Sequence, residues 1–182
     1  MKWKITVVFS MSISANIPLV GAILLPNLGG FAGGFITRNN LRPWYENLKK
    51  PDMRPPNWAF GPVWTSIYSS IGYASYLVYK EGGGFGGPAK LPLILYGTNL
   101  LANWAWTPIF FGAKQLNLAL YEINLITATA VATGYMFYQI KPLAGYLFIP
   151  YVAWLGIATW LNYSIARDNP SSVTITELDK DE

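Results

Sequence analysis

The chain contains no cysteine and no histidine, and charge is scarce: 12% of its 182 residues are Asp, Glu, Lys or Arg. Without cysteine there are no disulfides, no thiolate metal sites and no thiol nucleophile. Without histidine the commonest general base, the commonest metal ligand and the usual proximal haem ligand are missing. Conventional triads and zinc sites are excluded, and no metal site is expected. A soluble domain carries about 25% charged residues, so this chain has too little charge to cover a water-facing surface. Its residues are instead 52% hydrophobic and 16% aromatic, the balance of a membrane protein. The net charge of +4 gathers on no single face of an element. It suits loops that anchor to anionic lipid headgroups and gives nucleic acid nothing to bind.

What charge there is marks boundaries. The basic residues fall at Lys2 and Lys4, Arg38 to Arg54, Lys80 to Lys90, Lys114, Lys141, Arg167 and Lys180. The intervals between these groups are apolar runs of about 20 to 26 residues, the length of a helix that crosses the hydrocarbon of a bilayer. Five spans are predicted, at about 5–37, 60–79, 91–112, 115–140 and 142–166, within a single domain over 1–170. The predicted fold is all-α: a membrane-spanning bundle of five transmembrane helices, with a long Pro-rich loop capping one mouth. The start MKWKITVVF also has the positive-then-apolar order of a signal peptide, but no cleavage site is evident, and an N-terminal extension of the first span is the favoured reading. Residues 171–182 are polar and acidic, a disordered tail. Five spans put the termini on opposite sides. Eight basic residues collect with the 38–54 loop and the tail, against five on the other side, which makes the tail side cytoplasmic.

Polar groups within the spans mark the interior. Asn99, Asn103 and Trp106 share one helical face of the third span. They read either as hydrogen-bonding glue between helices or as groups that orient a ligand. Glu122 is the only acid within a predicted span, either hydrated near the interface or deeper and paired. Trp64, Tyr68, Ile71 and Ser75 line one face of the second span. Trp154, Ala158, Leu161 and Ile165 line one face of the fifth, where Pro150 is expected to kink the helix. Gly29/Gly33 and Gly30/Gly34 form overlapping GxxxG spacings that permit close helix approach, within the chain or between two copies. Leu161, Tyr163 and Arg167 fit a proposed cholesterol pattern, which also describes an ordinary helix end with an interfacial tyrosine and a snorkelling arginine. Asn162 heads a formal glycosylation triplet, discounted because it lies at a membrane edge.

Three stretches stand together in order: LRPWYENLKKPDMRPPNWAFGPVWTSIYSSIGYASYLVYKEGGGF, NLLANWAWTPIFFGAKQLNLAL and IPYVAWLGIATWLNYSIARDN. Their motifs and spacing closely resemble the translocator protein family, also called tryptophan-rich sensory proteins or peripheral benzodiazepine receptors, and within it the animal branch. The resemblance covers residues 16–170. It implies a five-helix bundle, usually dimeric, in the outer mitochondrial membrane with its C-terminus in the cytosol. It implies an intra-bundle pocket for porphyrins and benzodiazepine-type drugs, with a C-terminal motif associated with cholesterol. The matching pocket positions are Tyr45, Pro55, Trp64, Tyr68, Asn103, Trp106, Glu122 and Trp154, and Asn99 shares the face of Asn103. Porphyrin or haem enters as ligand, not as tightly bound cofactor. Met53 stands where many members carry an aromatic, Ile94 and Thr98 replace glycines of a proposed dimer motif, and Glu122 replaces an aspartate.

The proline-braced segment Lys49–Trp64 fits this frame. Proline fixes φ and lowers the entropy cost of holding a loop in place, so the loop reads as a lid that presents Tyr45 and Pro55 above Trp64. Three functions follow. The first is a receptor or carrier for flat hydrophobic ligands. The second is light-dependent porphyrin breakdown, with Trp64 and Trp154 as redox partners and no conventional acid–base catalysis. The third is a membrane scaffold that recruits partner proteins through its tail.

Overall fold

The computed structural model describes the backbone of residues 2–170 and the side chains of residues 18–170. The tail expected over 171–182 lies outside the described residues. All regular structure within them is helical. Helix α1 runs Lys2–Asn40 and ends in a wide turn, Leu41–Tyr45. Helix α2 spans Asn57–Glu81 and α3 spans Lys90–Thr107, prolonged by a wide turn over Pro108–Gly112. Helix α4 spans Leu116–Ile140. The last span is divided into α5, Pro142–Tyr146, and α6, Ile149–Asp168.

Proline and glycine set the breaks. Arg42 has extended backbone (φ −117°, ψ 135°) directly before Pro43, as the proline ring demands of its predecessor. Pro55 and Pro56 hold the chain extended until α2 begins at Asn57. Pro108 lacks an N–H, and the chain widens there: the Ala113 N–H reaches back five residues to the Pro108 carbonyl at 2.8 Å. The kink expected from Pro150 is a break over Leu147–Phe148, which places Pro150 in the first turn of α6. Proline is tolerated there because first-turn N–H groups have no intrahelical partner. The glycine loop is needed where Gly83 and Gly84 both take positive φ (70° and 61°), a conformation that costs other residues about 1 kcal/mol or more.

Helix α1 packs on α2 and α3, and α4 packs on α3, α5 and α6. Among the described residues, three helical segments are long and apolar enough to cross a membrane: Pro18–Tyr45, Leu116–Ile140 and Pro142–Asp168. Large apolar side chains face outward along α1 (Leu24, Leu28, Phe31, Phe35) and α4 (Leu118, Leu125, Val131, Tyr135), as a lipid-facing surface requires. Lipid is as apolar as these side chains, so close packing and hydrogen bonds must hold the helices together. Pro26 cannot donate to Ala22, and at that carbonyl the backbone of Gly72 comes so close that any Cβ would collide with the oxygen. A Cβ on Gly29 would strike the indole of Trp104. The Gly29 side of the GxxxG stripe is thus spent on packing within the chain.

Both ends are tied. On one side the Lys141 ammonium donates to Glu81 at 3.0 Å, joining α2 to the start of α5. On the other, the loop before α2 meets the end of α6, where Lys49 and Asn169 exchange hydrogen bonds.

Candidate functional site

A cavity of about 560 Å³ lies between α1, α2, α3, α4 and α6, at the end of the bundle covered by the Leu41–Tyr45 turn. Tyr45, Phe60, Trp64, Tyr68, Trp106 and Phe110 bring aromatic rings to its wall, and Ile123, Ile126, Leu155 and Leu161 complete an apolar lining. Trp64 packs on Tyr68 with ring centroids 5.2 Å apart, and edge-on to Tyr151 at 6.3 Å. Trp106 stacks on Phe110 at 4.6 Å with an interplanar angle of 21°. Such walls suit flat, weakly polar ligands.

Beneath the cavity runs a buried chain of hydrogen bonds that crosses four helices. The Tyr68 hydroxyl donates to Asn103 Oδ1 at 2.6 Å. Asn103 Nδ2 donates to the Tyr151 oxygen at 3.1 Å, and the Tyr151 hydroxyl donates to Asn99 Oδ1 at 3.0 Å. Asn99 Nδ2 donates to the Ile126 carbonyl and to Thr129 Oγ1, both at 2.8 Å. Each such bond between helices in a membrane contributes about 0.6 kcal/mol on average, but leaving one partner unpaired in an apolar interior costs about 1–3 kcal/mol. The chain therefore fixes the relative positions of α2, α3, α4 and α6, and with them Trp64 and Tyr68.

A second brace lies nearer the mouth. Trp106 Nε1 donates to Asn162 Oδ1 at 3.2 Å, and Asn162 Nδ2 donates to the Leu116 carbonyl at 3.1 Å. The discounted glycosylation position is a buried bridge, with Asn162 only 2% exposed. Above it, Tyr45 is buried edge-to-face on Phe110 and close against Phe111. The Lys50 ammonium donates to the carbonyls of Tyr45 (2.6 Å), Leu48 (2.6 Å) and Glu46 (2.9 Å) and sits 4.9 Å from the Tyr45 ring centre. Burial, with Arg54 nearby, lowers its pKa from the usual lysine value, while Glu46 raises it. The loop is therefore held by specific bonds from Lys50 and Asn169 as well as by its prolines.

Of the residues singled out from sequence, the structure brings Tyr45, Trp64, Tyr68, Asn103, Trp106 and Leu161 together on the cavity wall. Pro55, Asn99, Glu122 and Trp154 lie outside that lining. Asn99 belongs to the buried hydrogen-bond chain. Trp154 backs the wall, edge-on to Phe60 at 5.5 Å, and its buried indole N–H has no partner among the described residues. Glu122 is partly exposed, with one buried oxygen unpartnered among them. Tyr163 faces outward, and Arg167 pairs with Asp168 at 2.7 Å and lies 5.9 Å from the Tyr163 ring. Tyr151, Phe60, Phe110, Phe111 and Asn162 were missed. Tyr151 stands one residue after Pro150, and Phe110 and Phe111 follow Pro108, so the change of helix course at each proline was the available signal.

The TspO/MBR family model matches residues 22–167. The chain is 50% identical to the translocator protein of Homo sapiens over 154 residues, covering 84% of this chain and 90% of that one. It is 46% identical to the translocator protein of Sus scrofa over 153 residues (84% and 90%). It is 36% identical to the tryptophan-rich sensory protein of Cereibacter sphaeroides over 151 residues (81% and 92%). With a match along most of its length to animal and bacterial members alike, and with long apolar helices that suit a bilayer, the chain belongs to the TspO/MBR family of integral membrane proteins.

Proposed function

We propose that this protein is a five-span membrane receptor or carrier that binds porphyrins, cholesterol and benzodiazepine-type ligands inside the bundle. The observation that carries this reading is the aromatic cavity itself: Tyr45, Trp64, Tyr68 and Trp106 come from three separate segments to one hollow of about 560 Å³. That size lies within the usual range for small-molecule sites. Helix α2, at 25 residues, is about 37 Å long at 1.5 Å per residue, and α3 with its terminal turn has comparable reach. On this reading both complete the five spans despite their polar residues; Tyr68, Ser75, Asn99 and Asn103 are buried, while Ser66 and Tyr73 face outward. Arg38, Arg42, Lys49, Lys50, Arg54, Lys114 and Arg167 collect at the cavity end, against Lys2, Lys4, Lys80, Lys90 and Lys141 at the other. That asymmetry supports a cytosolic lid and C-terminus, in the outer mitochondrial membrane as the animal relatives suggest. The test is tryptophan quenching of the purified protein by protoporphyrin IX, with cholesterol and a benzodiazepine-type ligand as competitors. Mutual displacement supports one shared cavity, and independent binding of all three refutes it.

A second reading, light-dependent porphyrin breakdown by dioxygen, is favoured by the contact of Trp64 with Tyr68 and Tyr151, a row of rings that can pass an electron away from a bound ligand. Trp154 lies behind Phe60, so Trp64 carries the larger share of this chemistry. Illumination of the complex with Trp64→Phe tests it, and unchanged product formation removes it. The scaffold reading rests on the tail from Asp168 to Glu182, of which 171–182 lie outside the described part of the chain, and on partner proteins. Loss of partner capture on deleting that tail, with ligand affinity intact, is its test.

A further inference from the structure

We propose that the cavity opens sideways between α1 and α2, and that this slot admits a long-chain carboxylate from the surrounding lipid, with its head group held by Arg38. The two helices are tight at one end. Gly72 lies against the Ala22 carbonyl, Asn27 Nδ2 donates to Ser69 Oγ at 3.2 Å, and a Cβ on Gly30 would strike the Tyr68 ring. One turn onward this closeness ends. Gly34 on α1 and Gly61 on α2 both line the cavity, both are exposed, and neither has a heavy atom within 4 Å of where a Cβ would stand. Phe31 and Phe35 also line the cavity while 62% and 71% exposed. Side chains that border the interior and the outer apolar surface at once are the edges of a gap.

The chemistry of the rim selects the occupant. Arg38 stands one turn beyond Gly34, and Asn57 one turn before Gly61. Arg38 is the only charged residue in the cavity lining, and among the described residues its guanidinium has no ion pair or hydrogen bond. A guanidinium suits a carboxylate, which it meets with two parallel hydrogen bonds. The apolar interior suits a hydrocarbon chain. A volume of about 560 Å³ holds one drug-sized ligand, room for a single acyl chain and not for the two of a phospholipid. A neutral sterol has no use for the arginine. A single-chain acid satisfies both the wall and the rim, and it reaches the slot without leaving the bilayer.

The test uses the full chain in phosphatidylcholine nanodiscs with two fluorescent probes, cis-parinaric acid and its methyl ester, at mildly alkaline pH and with empty nanodiscs subtracted. The acid is expected to bind about tenfold more tightly than the ester, the effect of one charge-assisted hydrogen-bonded pair. Arg38→Gln should remove that preference without changing ester binding, and Arg38→Lys should keep part of it. Gly61→Leu, which narrows the slot, should slow association of both probes. Equal binding of acid and ester, or a preference that survives Arg38→Gln, overturns the proposal and leaves Arg38 as an interfacial anchor. The inference rests on the ligand-cavity reading. If neither probe nor protoporphyrin IX binds, both fail; if protoporphyrin IX binds but the acid shows no preference, this one alone fails.

Discussion

Asn169 and Lys49 lie 120 positions apart and exchange two hydrogen bonds of 2.9 Å: the Lys49 N–H donates to Asn169 Oδ1, and Asn169 Nδ2 donates to the Lys49 carbonyl. One side chain at the end of α6 thereby fastens the loop before α2 to the bundle, and it also donates to the Ile165 carbonyl at 2.8 Å. Asn169→Ala removes this fastening. Amide hydrogen exchange over residues 46–55 is expected to rise about tenfold, in line with about 0.5–1.5 kcal/mol per bond, and bound ligand should dissociate faster. Unchanged exchange would mean that Lys50 and the prolines hold the loop without Asn169.

The chain from Tyr68 through Asn103, Tyr151 and Asn99 to Thr129 predicts an asymmetry between tyrosines. Tyr151→Phe removes one hydroxyl and strands both Asn103 Nδ2 and Asn99 Oδ1. A loss of about 1–3 kcal/mol is expected, read as a lowered thermal midpoint in detergent. Tyr163→Phe, on the outward face, should be close to neutral. Equal effects would show that the network adds nothing to stability.

Glycine substitutions should divide by position. Gly72→Ala places a methyl group against backbone oxygen at Ala22, which cannot give way. About 1–3 kcal/mol of destabilisation is expected from overpacking. Gly156→Ala, with open space around it, should be tolerated or slightly stabilising because alanine favours helix. Similar melting of the two variants would mean that α1 and α2 do not pack as described.

Much of this was legible in the sequence, and the remainder has physical reasons. Basic residues at apolar-run edges place the helices because charge is expelled from hydrocarbon. Pro150 marks the α5–α6 break because a ring without an N–H is costly in a helix interior and tolerated in a first turn, although Pro26 and Pro62 lie inside α1 and α2 without breaking them. The convergence of Trp64, Tyr68, Asn103 and Trp106 was readable as helix faces. What periodicity could not show is which face a residue at the edge of a stripe takes. Trp154 shares its face with Ala158 and Leu161, yet lies behind Phe60 while those two line the cavity. Asn99 and Asn103 are one turn apart, but only Asn103 reaches the wall. Asn162 looked like a membrane-edge residue because it falls near the end of the fifth predicted span; its partners Trp106 and Leu116 come from other segments, which the periodicity of one helix does not show.

The absence of histidine and cysteine bears on porphyrin selectivity. With neither of the usual strong axial ligands for iron, recognition must come from stacking and from the periphery of the ring. Metal-free protoporphyrin IX and haem are therefore expected to quench tryptophan fluorescence with affinities within a few-fold of each other. A large preference for haem would point to an iron ligand outside this account.

The central claim is that ligand occupies the hollow between the helices. Ala158 lines it from α6 and is small, so Ala158→Trp fills part of the space without adding charge. The decisive measurement is equilibrium binding of protoporphyrin IX to this variant, with circular dichroism to verify that the helices persist. A loss of at least about tenfold in affinity, with helicity unchanged, is expected when a large side chain competes for a packed site. Full affinity in a folded Ala158→Trp protein would place the ligand elsewhere and contradict the account.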